Sequence, residues 1–373
     1  MKRFIDEHKI VSLLLLLGVL VLFYRLFWGL GAVSDLSDSQ PWGLIKAFNI
    51  LACAALAAGA TVVAAMAYVF GLKRFEPVVR PVLLMGLIAH TFVLGALLYD
   101  VGSPIDIWRI VLTPNIRSIM FLAFLCEVVY TGALICEALP EYVGPGRYEG
   151  LVGFLKSIRG LVIVVSAVIA VIYQSTLGAL YLVSPHRITP LWYSPWLPVL
   201  FFLSAVAGGL AVVIVEAYIS DKAGRRPFDN ALMGQLGRIM SIFLVAYVVL
   251  RIADMAARGA LSVSGGAGTG WFIVEISVGF LAPAILITFK NVRENPTGLL
   301  TASALVTLGV VMNRLGVAII GWRNQPGVTY FPTALEICVS FFFILAPVAI
   351  YSFASGALLV PEGRDKAIHG LSN

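Results

Sequence analysis

Residues 196–220 read WLPVLFFLSAVAGGLAVVIVEAYIS, with Glu216 the one charged side chain in the stretch. A helix of that length rises about 37 Å, enough to cross a hydrocarbon core about 30 Å thick. Its apolar residues surround the helix instead of marking one stripe, the pattern of a helix with no water-facing side. A spanning strand would need only about ten residues and would alternate in polarity. The stretch therefore reads as a transmembrane helix.

Working outward, similar apolar runs fall at about 10–31, 43–72, 81–102, 118–140, 157–183, 238–258, 270–290, 299–322 and 334–360. With 196–220 they predict an all-α fold, a polytopic transmembrane helical bundle of about ten spans. Breaks between runs carry helix-ending residues: Gly144-Pro145-Gly146, Asn295-Pro296 and Gln325-Pro326-Gly327. The first run is too long for a signal-peptide core and no small-residue cleavage site follows it, so it reads as a retained span. Charged residues make up 12% of the 373-residue chain and mean hydropathy is +0.95, against roughly 25% charged residues in a soluble domain. Ten spans consume nearly all of this length, so residues 1–373 are expected to form a single integral membrane domain.

The basic residues give the expected orientation. Seventeen Lys and Arg residues lie at the N-terminus, in the even-numbered loops and at the C-terminus, from Lys2, Arg3 and Lys9 to Arg364 and Lys366. Only five, Arg109, Arg117, Arg187, Arg258 and Arg323, lie in the odd-numbered loops. Positive charge is retained inside, which predicts that both termini are cytoplasmic. The net charge of +6 is thus a by-product of topology: no basic cluster exceeds a few residues, so membrane lipid, not nucleic acid, is the expected partner. All seven tryptophans (Trp28, Trp42, Trp108, Trp192, Trp196, Trp271, Trp322) fall at outer helix ends or in outer loops. Two readings stand: a one-sided interfacial belt, or an outer surface shaped for a partner or a planar ligand, with which the longer loops 185–195 and 322–333 agree.

Metal chemistry finds little support. Cys53, Cys126, Cys136 and Cys338 lie in apolar runs and form no C-x-x-C pair, whereas zinc and iron–sulfur sites need clustered thiolates. A haem held by two histidines inside the bundle would need a second deep histidine besides His90; His8, His186 and His369 are terminal or in loops. No metal, haem or iron–sulfur cluster is therefore expected in this chain.

Ionisable side chains inside spans are costly and are usually paired or functional. The basic ones are Arg25, Lys46, Arg251 and Arg314; the acidic ones are Asp100, Glu127, Glu137, Glu216, Asp254, Glu275 and Glu336. Arg251 and Asp254, three apart, predict a structural ion pair. Lys46 and Asp100, near the outer ends of spans 2 and 3, predict a pair bordering a ligand pocket. Glu127, Tyr130, Leu134 and Glu137 are spaced 3, 4 and 3, one face of span 4 rising about 15 Å. With His90 at similar depth they are either part of a proton path or a snorkelling Glu137 beside a satisfied His90–Glu127 pair.

Several segments are recognisable together: Phe27-Trp28-Gly29-Leu30-Gly31-Ala32-Val33, Pro41-Trp42-Gly43-Leu44-Ile45-Lys46-Ala47-Phe48, Arg80-Pro81, Asp100-Val101-Gly102, Gln174-Ser175-Thr176-Leu177-Gly178, Pro190-Leu191-Trp192-Tyr193 and Tyr330-Phe331-Pro332-Thr333. In this order the chain resembles the NrfD/polysulfide-reductase membrane subunit family, in its ten-helix HybB-like branch. The resemblance implies a haem-free subunit of a prokaryotic inner-membrane respiratory complex. Such a subunit exchanges electrons between quinone, menaquinone being expected, and a ferredoxin-like iron–sulfur subunit on the outer face, alongside further catalytic or cytochrome subunits. Departures from the family pattern are Asn49 for Asp, Tyr173 for His, Leu122 for Glu and Ser103 for Arg, which remove several titratable positions. On this reading Trp42, Lys46, Asn49, Asp100, Tyr173 and Gln174 form the quinone site, with Lys46 and Asp100 as the catalytic donor and proton-exchange group. His90, Glu127, Tyr130 and Glu137 form the proton path. The rival reading is a secondary transporter using the buried Arg, Asp, Glu and His residues, although no inverted repeat or paired broken helices are visible.

Overall fold

The computed structural model describes residues 9–143, 148–262, 268–323 and 328–358. The turn signals Gly144-Pro145-Gly146 and Gln325-Pro326-Gly327 lie outside these residues, as do both chain ends. Ten helices among the described residues are long and apolar enough to cross a bilayer: α1 Lys9–Trp28, α2 Ile45–Val69, α3 Lys73–Asp100, α4 Ile119–Tyr142, α5 Arg159–Ala179, α6 Leu197–Lys222, α7 Asn230–Ala257, α8 Thr269–Leu286, α9 Pro296–Ile320 and α10 Ala334–Ala357. No strand occurs among the described residues. The protein is thus an all-α, multi-pass integral membrane protein.

Successive spans alternate in direction. The side at which α1 begins is called the start face here and the opposite side the far face. Helix α2 packs on α3, α5 and α6, while α6 packs on α5, α7 and α9. The result is two four-helix sets, α2–α5 and α6–α9, joined along α2 and α6. Helices α1 and α10 pack on each other, and α10 closes against α3. Lipid offers no hydrophobic drive to join helices, so close packing must come from small residues. A methyl group built on Gly59 of α2 would strike the Gly209 carbonyl of α6, and one on Gly209 would strike the Gly59 backbone. Gly279 of α8 and Gly309 of α9 meet backbone to backbone in the same way.

Local signals set the helix starts. The Ser118 hydroxyl accepts from Phe121 N at 3.3 Å, the Asp229 carboxylate from Leu232 N at 3.0 Å and the Asn295 amide oxygen from Thr297 N at 2.9 Å. At α10 the Thr333 hydroxyl accepts from Glu336 N while the Glu336 carboxylate accepts from Thr333 N, both at 3.1 Å. This capping box accounts for Glu336, one of the acids deep in an apolar run. Four π-helical stretches interrupt the spans: Ile45–Ala52 and Ala65–Val69 in α2, Glu275–Leu281 in α8 and Gly316–Ile320 in α9. Such wider turns commonly mark functional positions.

Candidate functional site: a far-face cavity above a buried polar seam

A cavity of about 760 Å³ opens at the far face between the ends of α2, α3, α4 and α5. Its walls are largely apolar, from Ile50, Leu51, Leu97, Phe121, Ala123, Phe124, Leu177 and Leu180, with Trp42 and Trp322 at one side. The predicted Lys46–Asp100 pair lines it, with Nζ and Oδ2 2.8 Å apart. Both side chains are largely shielded, so a charged pair and a flat indole face an apolar chamber of ligand size. The Trp42 ring is backed by Tyr181, with centroids 4.6 Å apart. At the rim, the Arg187 N–H donates to Ser184 O, and its carbonyl accepts from Arg323 N at 2.6 Å. The adjoining Ile188–Trp322 bridge ties the α5–α6 and α9–α10 loops together.

Three residues expected in the quinone site are directed elsewhere. Asn49 Nδ2 donates to Ser340 O at 3.1 Å and its Oδ1 accepts from Ser340 Oγ at 2.6 Å, so its amide joins α2 to α10. The π-helical stretch is the reason: with i→i+5 bonding, Ile50 and Leu51, not Asn49, share the face of Lys46. Gln174 Nε2 donates to Ala54 O at 3.0 Å. That carbonyl is freed where Ala58 N bonds Ala55 O instead, at the break within α2. Tyr173 is fully buried and lies against His90 and Glu127, below the cavity.

Beneath the cavity the face of α4 that carries Glu127, Tyr130, Leu134 and Glu137 is buried, so Glu137 does not snorkel to water. Glu127 lies one turn, about 6 Å, below the cavity-lining Ala123. Both of its oxygens contact His90 Nδ1, at 3.1 and 3.2 Å, and both side chains are sealed from solvent. Tyr130 packs edge-on against His90 with centroids 4.6 Å apart, and its hydroxyl bonds that of Thr61. Further down, the Glu137 carboxyl is buried beside the Ser166 hydroxyl and has no ion-pair partner among the described residues. At the start face Glu141 Oε1 pairs with Arg159 Nη1 at 2.7 Å.

The sequence showed one half of this seam. The other half is on α5, where Arg159, Ser166 and Tyr173 are spaced by sevens and so share a face. Tyr173 meets Glu127, Ser166 meets Glu137 and Arg159 meets Glu141. The heptad spacing was the available signal, obscured because serine and tyrosine are ordinary in apolar helices.

The predicted Arg251–Asp254 ion pair is not formed. Arg258, one turn after Asp254, takes Asp254 Oδ2 with Nη2 at 2.7 Å and Nε at 2.9 Å. Arg251 instead donates to the carbonyls of Leu191 and Trp192 and lies over the Phe272 ring. It borders a second buried cluster that spacing could not assemble, because its members come from four elements. Glu275 accepts from Trp192 Nε1 at 2.9 Å and from Asn313 Nδ2 at 2.7 Å. Arg314 donates to Asn313 Oδ1 at 2.6 Å and to Ser204 Oγ at 3.0 Å, 3.6 Å above the Phe201 ring. Their dense bonding reads as a scaffold within α6–α9. The tryptophans divide accordingly: Trp28, Trp108 and Trp196 are exposed, while Trp42 and Trp192 are buried parts of the interior.

An integral membrane protein with a far-face chamber of ligand size, a largely shielded ion pair in its wall and buried titratable groups below it is the class that fold and site define. The chain belongs to the family described as Polysulphide reductase, NrfD, which matches residues 32–323. It is 32% identical to a protein of Nitratidesulfovibrio vulgaris, with 95% of each chain covered. It is 27% identical to the probable Ni/Fe-hydrogenase 2 b-type cytochrome subunit of Escherichia coli K12, covering 91% of this chain and 88% of that one. It is 24% identical to the integral membrane subunit of menaquinone reductase from Nitratidesulfovibrio vulgaris, covering 80% and 76%. The E. coli name raises the question of a b-type haem. Among the described residues the histidines are His90, engaged by Glu127 and walled in by Tyr130 and Tyr173, and His186 in a loop. This donor set does not fit a bis-histidine haem within the bundle.

Proposed function

We propose that this chain is the quinone-reactive membrane subunit of a respiratory oxidoreductase complex, with the far-face cavity as the quinone site. The observation that carries the reading is the Lys46–Asp100 pair, 2.8 Å apart in the wall of an apolar chamber of about 760 Å³. A quinone ring needs an apolar slot, donors for its oxygens and a group that exchanges protons. Trp42 supplies a flat wall, the Lys46 ammonium donates to one ring oxygen and the Asp100 carboxylate accepts the proton that a quinol oxygen gives up. Two electrons and two protons leave each quinol oxidised, and the same number enter each quinone reduced. The electrons pass at the far face, where an iron–sulfur subunit docks, and the charge bias of the loops supports reading this face as the outer one. The protons pass along Glu127–His90, Tyr130–Thr61 and Glu137 toward the cytoplasmic start face. Relatives named for menaquinone reductase and for polysulfide reductase support this reading, and the first of them supports menaquinone as the quinone.

The test is purification of the chain with whatever subunits accompany it, followed by identification of those subunits and of extracted quinone. The reading expects an iron–sulfur protein and roughly stoichiometric quinone. Recovery of the chain alone, with no quinone and with solute uptake in proteoliposomes, favours the transporter reading instead.

A further inference from the structure

The start-face end of the seam holds one arginine between two carboxylates. Arg159, at the first turn of α5, pairs through Nη1 with Glu141, 2.7 Å away, and its guanidinium lies 4.2 Å above the Tyr68 ring. These two side chains are about a quarter exposed, 26% and 23%, so water reaches the pair. Arg159 Nη2 is buried and has no hydrogen-bond partner. One helical turn deeper on α4, Glu137 is 3% exposed beside Ser166 and has no ion-pair partner among the described residues, and Arg159 is the cation whose field reaches it. Other groups at this end are Ser166 beside Glu137, Glu76, whose charge acts on Tyr68, and Tyr142 next to Glu141, whose hydroxyl donates to Arg80 O and whose ring faces the Arg80 guanidinium. A guanidinium can hold a carboxylate firmly through two parallel bonds. Here it uses one amino group on the water-side acid and leaves the inner one idle.

We propose that Arg159 is the gate of the seam, alternating between Glu141 and Glu137. The pair seen with Glu141 is the closed position: Glu137 is cut off from water and keeps its proton. When Arg159 swings to Glu137 it takes that carboxylate as its new counter-ion. The displaced proton leaves through Glu141, now free, to start-face water. One proton moves from Glu137 to water and no other bond changes. Tyr68 supports the guanidinium by its ring face in the closed position, and the long arginine stem supplies the reach. This inference rests on the seam being the proton route proposed above.

The test reads Glu137 directly. Dicyclohexylcarbodiimide modifies carboxyls that lie in apolar surroundings without an ion-pair partner, so Glu137 is the expected target in the purified complex, identified by fragment mass spectrometry. Glu141→Gln releases Arg159 to pair with Glu137, and Glu137 labelling falls about fivefold, the shift that a partly buried ion pair can impose. Arg159→Gln removes the competitor and labelling rises above the parent level. Arg159→Lys, which keeps the charge, stays near the parent level and stands in if the glutamine variant does not accumulate. Labelling of Glu137 that is equal in the Glu141→Gln and parent proteins overturns the gate. The seam itself is judged separately: Glu127→Gln should abolish proton release during quinol turnover whether or not Arg159 moves. Unchanged labelling with proton release lost in Glu127→Gln therefore refutes the gate alone, whereas responsive labelling with proton release intact refutes the route.

Discussion

Removing Lys46 and Asp100 one at a time and together separates what their pair does for stability from what it does for chemistry. Lys46→Met leaves the Asp100 carboxylate in an apolar wall without its counter-ion, and Asp100→Asn leaves the ammonium likewise. Breaking a fully buried pair costs about 3–5 kcal/mol. These side chains keep 19% and 11% of their exposure, so water and rearrangement reduce the cost, and about 1–3 kcal/mol is expected for each single variant. The double variant strands no charge, and most of that loss should be restored, because an ion pair replaced whole is often close to neutral. Catalysis should not follow. A positioned acid–base group contributes about 10²–10⁴-fold, so all three variants should lose quinol turnover by about two orders of magnitude. The assays are thermal unfolding of the purified complex and quinol oxidation with a soluble electron acceptor. If the double variant recovers turnover along with stability, the pair is structural and the proposed roles are wrong. If the single variants turn over within about threefold of the parent, the cavity does not do the chemistry.

The remaining predictions follow from the packing. Gly59→Leu should keep the protein from accumulating or cost at least about 1–3 kcal/mol, because the side chain meets the Gly209 backbone, whereas Gly150→Ala, with open space around it, should be silent; yield and melting temperature decide. Asn49→Ala should lower the melting temperature through loss of the paired bonds to Ser340, about 1–3 kcal/mol, while leaving KM for quinol unchanged. A large KM rise returns Asn49 to the site. Trp192→Phe leaves one Glu275 oxygen without its donor and should cost about 1–3 kcal/mol of stability with turnover per folded molecule unchanged, measured by unfolding and by activity normalised to intact complex.

The spans were legible because lipid imposes one demand along the whole chain, and runs such as 196–220 meet it without tertiary help. Lys46 and Asp100 were legible for a related reason: two opposite charges at the same depth in adjacent spans have few partners to choose from. Arg251 and Asp254 show where that reasoning fails. Spacing allows a pair, but Arg258 competes for the same carboxylate, and the loop carbonyls of Leu191 and Trp192 accept from Arg251, contacts that no sequence pattern displays. Asn49 fails for a different reason. An α-helical wheel puts it beside Lys46, and the π-helical turn, which no composition signal announces, carries it around to Ser340. The seam lies between these cases. Its α4 side stood out through Glu127 and Glu137, acids that apolar helices rarely carry, while Ser166 and Tyr173 acquire meaning only once α5 is laid against α4.

Photoaffinity labelling of the intact complex with an azido-quinone, followed by peptide mapping, tests the placement of the quinone site most directly. The account predicts adducts confined to the cavity wall, on the segments around Trp42–Leu51, Leu97–Gly102, Phe121–Phe124 and Leu177–Ser184, and competed away by unlabelled quinone. Competable adducts concentrated instead on α7–α9, around Glu275 and Arg314, would contradict it.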